Sequence, residues 1–101
     1  MARGRTSADI SAVDRSENRA ELGRWLRERR EALGMTQREF AAKVSTLYYT
    51  YISQIELGQG KIVPERWEMW AEALNVPPRE FAMKLLEAYE PVAFRMVFSD
   101  E

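Results

Sequence analysis

The stretch Gly34-Met35-Thr36-Gln37-Arg38-Glu39 stops one helix and starts another within two residues, and this constrains the chain on both sides of it. Upstream, Leu22, Trp25, Leu26 and Leu33 recur at spacings that place them on one helical face, from about Ala20 onward. Gly34 closes that run, because glycine accepts the left-handed conformation in which helices commonly end. Thr36 and Glu39 have the spacing of a capping box, in which the Thr36 hydroxyl accepts from the Glu39 backbone N–H while the Glu39 carboxylate reaches back. A second helix therefore starts at Thr36, with Phe40, Ala41 and Val44 facing inward.

Punctuation of the same kind divides the rest. Ser45 and Thr46 interrupt the pattern, either able to cap, and an apolar face resumes at Leu47 or Tyr48 and runs through Ile52 and Ile55. Gly58 and Gly60 close this third helix; Pro64 suits the first position of a fourth, whose inner face is Trp67, Trp70, Ala71 and Leu74. Pro78 opens a fifth, with either Phe81, Leu85 and Tyr89 or Ala82, Leu85 and Leu86 turned inward. Beyond Pro91, the residues Val92, Phe94, Met96 and Phe98 alternate with Ala93, Arg95 and Val97 at the period of a strand. The expected fold is all-α, with five helices in a domain over residues 19–89 and a C-terminal β-strand extension over 90–101. Residues 1–18 hold only Ile10 and Val13 as sizeable apolar groups and are expected to form a flexible tail.

With 101 residues and 46% hydrophobic content, one core is affordable and two are not. The net charge of −1 conceals an asymmetry: eleven basic residues stand against eight acidic ones up to Lys61, a balance of +3, and four against eight beyond it, a balance of −4. There is no Cys, so disulfides and thiolate metal sites are excluded, and no His, the commonest general base and metal ligand. Glu65, Glu68 and Glu72 share a helix without a second ligand type, and nothing supplies a nucleophile with its base, so neither a metal, a cofactor nor catalysis is expected. No apolar run approaches the roughly 20 residues of a membrane span, and no secretory signal begins the chain; a cytoplasmic protein is expected.

A short capped helix, a tight turn and a second helix with a polar and aromatic outer face have the shape that fits a DNA major groove. Leu26, Arg27, Arg30, Gly34, Met35, Thr36, Gln37, Glu39, Phe40, Ala41, Lys43 and Val44, followed by Ile52, Ser53, Ile55, Glu56 and Gly58, resemble the Cro/CI-type (XRE, lambda-repressor-like) helix-turn-helix family. Agreement continues through Trp67, Ala71, Leu74 and Val76, covering roughly residues 20 to 86. The resemblance implies a sequence-specific transcriptional regulator in which Tyr49, Thr50, Ser53 and Gln54 contact bases, while Thr36, Gln37, Tyr48, Gln59 and Lys61 contact phosphates. It also implies a buried ion pair between Arg30 and Glu56, tying the first helix to the end of the third. The chemistry suits the roles: Gln pairs bidentately with adenine, Thr offers a hydroxyl or a methyl, and Tyr offers a ring and a donor. One departure stands out, since Val44 and Ile52 are one residue further apart than in the usual pattern and Ser45-Thr46 replaces the customary turn glycine. Tyr48 and Tyr49 are consequently alternatives for the first contact. Arg3 and Arg5 could serve as a basic arm for an adjacent minor groove.

A single module makes few base contacts, and discrimination generally needs two half-sites held by a dimer. The segment Val92, Phe94, Met96 and Phe98 is expected either to pair antiparallel with its symmetry mate or to pack on its own fifth helix. The expected protein is a homodimeric repressor on an inverted repeat of double-stranded DNA, with no membrane and no small-molecule ligand. The alternative is a protein-binding adaptor, antitoxin-like, that keeps the fold; phage regulators, antitoxins and controller proteins share this architecture.

Overall fold

A computed structural model describes residues 3–98, with side chains from Arg15 onward. The chain forms α1 (Arg3–Ala32), α2 (Gln37–Lys43), α3 (Tyr49–Glu56), a 3-10 turn (Pro64–Arg66) leading directly into α4 (Trp67–Ala73), α5 (Pro78–Tyr89) and α6 (Pro91–Phe98). Among the described residues there is no strand.

Four of these helices stop in the same way. Gly34, Ser45, Gly58 and Asn75 have φ of 73°, 57°, 83° and 62°, the left-handed region. Each turns the following N–H back onto a carbonyl of the helix just ended: Met35 on Arg30 (3.2 Å), Thr46 on Ala41 (3.0 Å), Gln59 on Gln54 (2.8 Å) and Val76 on Ala71 (2.9 Å). Helix-end carbonyls are thereby satisfied while the chain changes direction in a single residue. At Gly58 a second demand applies, because a Cβ there would lie 2.9 Å from the Ala20 Cα in α1. Only Ser45 meets the left-handed requirement with neither glycine nor asparagine.

Around these turns α1 lies against α3 and α5, α2 against α3, and α4 against α5. Leu22, Leu26, Phe40, Val44, Ile52, Trp70, Leu74, Phe81 and Leu85 fill one core. Trp70 is its centre, with Phe40 edge-on at 5.0 Å and Tyr51 edge-on at 6.2 Å. In α5 the buried residues are Phe81, Leu85, Ala88 and Tyr89, which selects the first of the two faces the sequence allows. Gly23 permits the closest approach, since a Cβ on it would run into the Glu56 carbonyl, so α1 and the last turn of α3 meet backbone to backbone. Neither Leu47 nor Tyr48 faces inward; they are 90% and 69% exposed, and α3 buries Ile52, Ile55 and Glu56 instead.

Two expectations are corrected. The C-terminal strand is a sixth helix, begun by Pro91 at its first position and by the Phe94 N–H donating to the Glu90 carbonyl at 2.8 Å. The alternation of Val92, Phe94, Met96 and Phe98 also contains i, i+4 pairs, and the Phe94 and Phe98 rings meet at 4.8 Å, a contact that only helical spacing provides locally. A lone strand would have left its backbone groups unpaired, whereas a helix satisfies them within the segment. The first helix also starts at Arg3 rather than near Ala20. Arg15, Ser16 and Glu17 are exposed, and Ala, Arg and Glu are good helix formers that extend a helix already anchored at Leu22 and Leu26. The side chains of Arg3 and Arg5, considered as a basic arm, lie outside the described ones.

Because a non-glycine residue in the left-handed region carries a conformational cost of about 1–2 kcal/mol, Ser45→Gly is expected to raise unfolding stability. The gain, after glycine's extra unfolded-state entropy, is roughly 0.5–1 kcal/mol, read as a higher urea midpoint with an unchanged slope. A lower midpoint would mean that the serine side chain contributes more than its backbone conformation costs.

Candidate nucleic-acid interface

Helix α3 is held from behind by a buried ion pair. Arg30, in the last turn of α1, donates from Nε to Glu56 Oε2 at 2.6 Å and from Nη2 to Glu56 Oε1 at 3.1 Å. Its remaining nitrogen, Nη1, donates to the Met35 carbonyl at 2.7 Å, and the Gln37 side-chain amide adds a third donor to Glu56 at 2.9 Å. Arg30 and Glu56 are 6% and 7% exposed, so the charges are almost wholly removed from water, and each finds several partners there. A buried charge that lost its partner would carry a large uncompensated desolvation cost, which makes this arrangement a strong geometric constraint. The carboxylate at the end of α3 thus fixes α1, the α1–α2 turn and the start of α2 to one another.

With its back fixed, α3 turns Tyr49, Thr50 and Gln54 to solvent, and Ser53 is half-buried beside them. These positions fall one turn apart in pairs, 49 with 53 and 50 with 54, and share one side of the helix. The helix begins at Tyr49, with Tyr48 as its N-cap and no side-chain cap bond, so the residue by which this chain exceeds the usual pattern lies in the turn Ser45–Tyr48. The Arg38 guanidinium, from α2, sits 4.3 Å from the centroid of the Tyr49 ring. Sequence reasoning passed over Arg38, and no local signal could have found it, since the stack joins residues eleven apart across a turn of unusual length. Tyr51, by contrast, points the other way, with its hydroxyl donating to the Lys61 carbonyl at 3.3 Å.

The flanking residues are individually placed. Thr36 caps α2, its hydroxyl accepting from Glu39 N–H at 3.1 Å while the Glu39 carboxylate accepts from Thr36 N–H at 2.8 Å. Gln37 is half-buried through its bond to Glu56. Gln59 and Lys61 are exposed on the loop after α3, which three aromatic side chains secure. Besides the Tyr51 bond, Trp67 Nε1 donates to the Ile62 carbonyl at 2.7 Å and the Tyr89 hydroxyl accepts from Ile62 N–H at 3.0 Å. Burial pushes the Tyr51 and Tyr89 phenols above the usual tyrosine range, with Arg66 opposing it at Tyr51 and the Ile62 N–H at Tyr89, so both remain neutral at physiological pH. Lys61 Nζ lies 3.8 Å from Glu90 and 5.4 Å from the Tyr89 ring, contacts on an exposed side chain that leave it free to exchange partners.

The family model described as Helix-turn-helix matches residues 26–81, more than half of the chain, and this is the Cro/CI-type family. The chain belongs to the Cro/CI-type (XRE) helix-turn-helix family. None of the curated proteins compared with it matches. The match spans α2, α3 and α4 entire, together with Arg30 and Glu56, while α6 lies beyond it. The broad function of the family, DNA-binding regulation of transcription, follows for this helix-turn-helix chain. Among the described residues no helix is long and apolar enough to cross a membrane.

Removing one partner of the central pair separates its geometric role from its net stability. Arg30→Met alone is expected to destabilise the fold by about 3–5 kcal/mol, since Glu56 is left buried and uncompensated. The double variant Arg30→Met/Glu56→Leu should recover most of that loss in urea unfolding. Equal losses in the single and double variants would locate the cost elsewhere, in packing or in the bond to Met35.

Proposed function

We propose that this helix-turn-helix chain is a dimeric transcriptional repressor that seats α3 in the major groove of each half of an inverted repeat. The observation that carries the reading is the contrast between the two sides of α3: Ile52, Ile55 and Glu56 are locked into the domain, and Tyr49, Thr50 and Gln54 are exposed on the other side with the half-buried Ser53 beside them. In this seating Gln54 pairs with an adenine, Thr50 offers its hydroxyl or methyl, and Tyr49 brings a ring held by Arg38. The start of α2, with Thr36 and Gln37, lies toward one phosphate strand; Tyr48, Gln59 and Lys61 approach the backbone from either end of α3. Repression requires no further surface, because an occupied operator excludes other proteins from the same groove.

Dimerisation is assigned to α6. Val92 and Met96, four residues apart, are 49% and 78% exposed, and Phe98 is 36% exposed beside the half-buried Phe94. An apolar helix surface of this kind gains by burial against a copy of itself, and a two-fold dimer would bring one α3 to each half-site, with half-site centres expected about one DNA turn apart.

Selection of bound duplexes from random DNA tests the reading as a whole: a symmetric pair of half-sites is expected, and failure to enrich any sequence would overturn it. On the selected site, Gln54→Ala should lose about 1–3 kcal/mol of discrimination at a single base pair. Equal weakening on every sequence would remove Gln54 from base recognition. Truncation after Glu90 should convert the dimer to a monomer in sedimentation, and a dimer that persists would exclude α6 as its interface.

A further inference from the structure

The turn that lengthens this helix-turn-helix carries an apolar side chain that the fold leaves in water. Leu47 is 90% exposed, more than any other large hydrophobic side chain among the described residues. Yet the backbone on both sides of it is held. Ser45 N–H donates to the Ala42 carbonyl at 3.3 Å and Thr46 N–H to the Ala41 carbonyl at 3.0 Å, while Tyr48 N–H reaches the Thr46 hydroxyl at 3.4 Å. Leu47 stands one residue ahead of the N-cap of α3 and borders the same shallow groove as Arg38 and Tyr49. It therefore projects from a fixed position at the end of α3 that enters the groove first in the proposed seating.

We infer that Leu47 is a specificity-determining residue that packs against the C5-methyl group of a thymine. The inference rests on the groove seating proposed above and adds to it a contact from outside the helix. An aliphatic side chain has nothing to offer a phosphate or a base N–H, and it gains free energy only by leaving water against another apolar group. In the major groove the apolar group on a base edge is the thymine methyl. The stacked Arg38–Tyr49 pair borders the same groove, 4.3 Å apart, and restricts the sites open to the Leu47 side chain to base edges next to the one Tyr49 approaches.

Replacing each thymine of the selected site singly by deoxyuridine removes one methyl group and leaves every hydrogen-bonding group in place. At one position the full-length wild-type chain should lose about fourfold in affinity per half-site, the value of one buried methyl-sized group at about 0.8 kcal/mol. Leu47→Ala should bind the parent site about as weakly as wild type binds the deoxyuridine site, and should be insensitive to the substitution at that position. Its thermal unfolding should match that of the wild type, since the side chain is exposed. Undiminished sensitivity in Leu47→Ala, or no sensitive thymine at all, would overturn the inference while leaving the groove seating intact. A wild-type chain that enriches no DNA sequence would overturn both, and binding of Leu47 to a protein surface would then become the reading to pursue.

Discussion

Glu56 is the point on which the other parts of this structure depend. Its carboxylate, nearly excluded from water, receives two bonds from Arg30 and one from Gln37, and Arg30 in turn holds the Met35 carbonyl. Three elements that already share one apolar core are fixed in register by one charged group. The network has the features that make a buried ion pair tolerable: bidentate geometry and further donors for the remaining lone pairs. Directly beside it, the bare Cα of Gly23 lets α1 touch the backbone of the last turn of α3, so polar locking and close packing act at one place. A recognition face gains from this rigidity, because side chains held in place before binding lose less freedom on contact.

Much of this was legible in the residues. The stop at Gly34, the box of Thr36 and Glu39 and the initiating prolines at 64 and 78 mark helix ends by local chemistry, and local chemistry survives translation into three dimensions. The pairing of Arg30 with Glu56 came from resemblance to a family, as no pattern in a single sequence connects positions 26 apart. The final segment was misjudged because Val92, Phe94, Met96 and Phe98 satisfy both period two and i, i+4 spacing, and a short apolar run does not decide between them. The decision lay outside the run, with Pro91 and with the lack of a second strand. Either Leu47 or Tyr48 is expected to resume an inward face, but both lie away from the core, and Tyr51 packs against Trp70 instead.

The interface combines a polar helix surface with few cations. Arg38, Lys43 and Lys61 flank α3 within a chain of net charge −1, and the acidic residues gather toward the C-terminal half. Long-range attraction to DNA is consequently local rather than global: α1 carries eight basic residues against six acidic ones and the stretch from Thr36 to Lys61 three against two, while the chain beyond Lys61 opposes them with four against eight.

In the proposed seating Thr36, Gln37, Tyr48, Gln59 and Lys61 meet the DNA backbone while α3 reads the groove, and the salt dependence of binding to the selected duplex tests this. The logarithm of affinity should fall linearly with the logarithm of salt concentration, with a slope of about −0.9 for each phosphate neutralised. Lys61→Ala should make that slope shallower by about one unit per subunit. Affinity that does not change with salt would contradict the account and assign the exposed face of α3 to a protein partner instead.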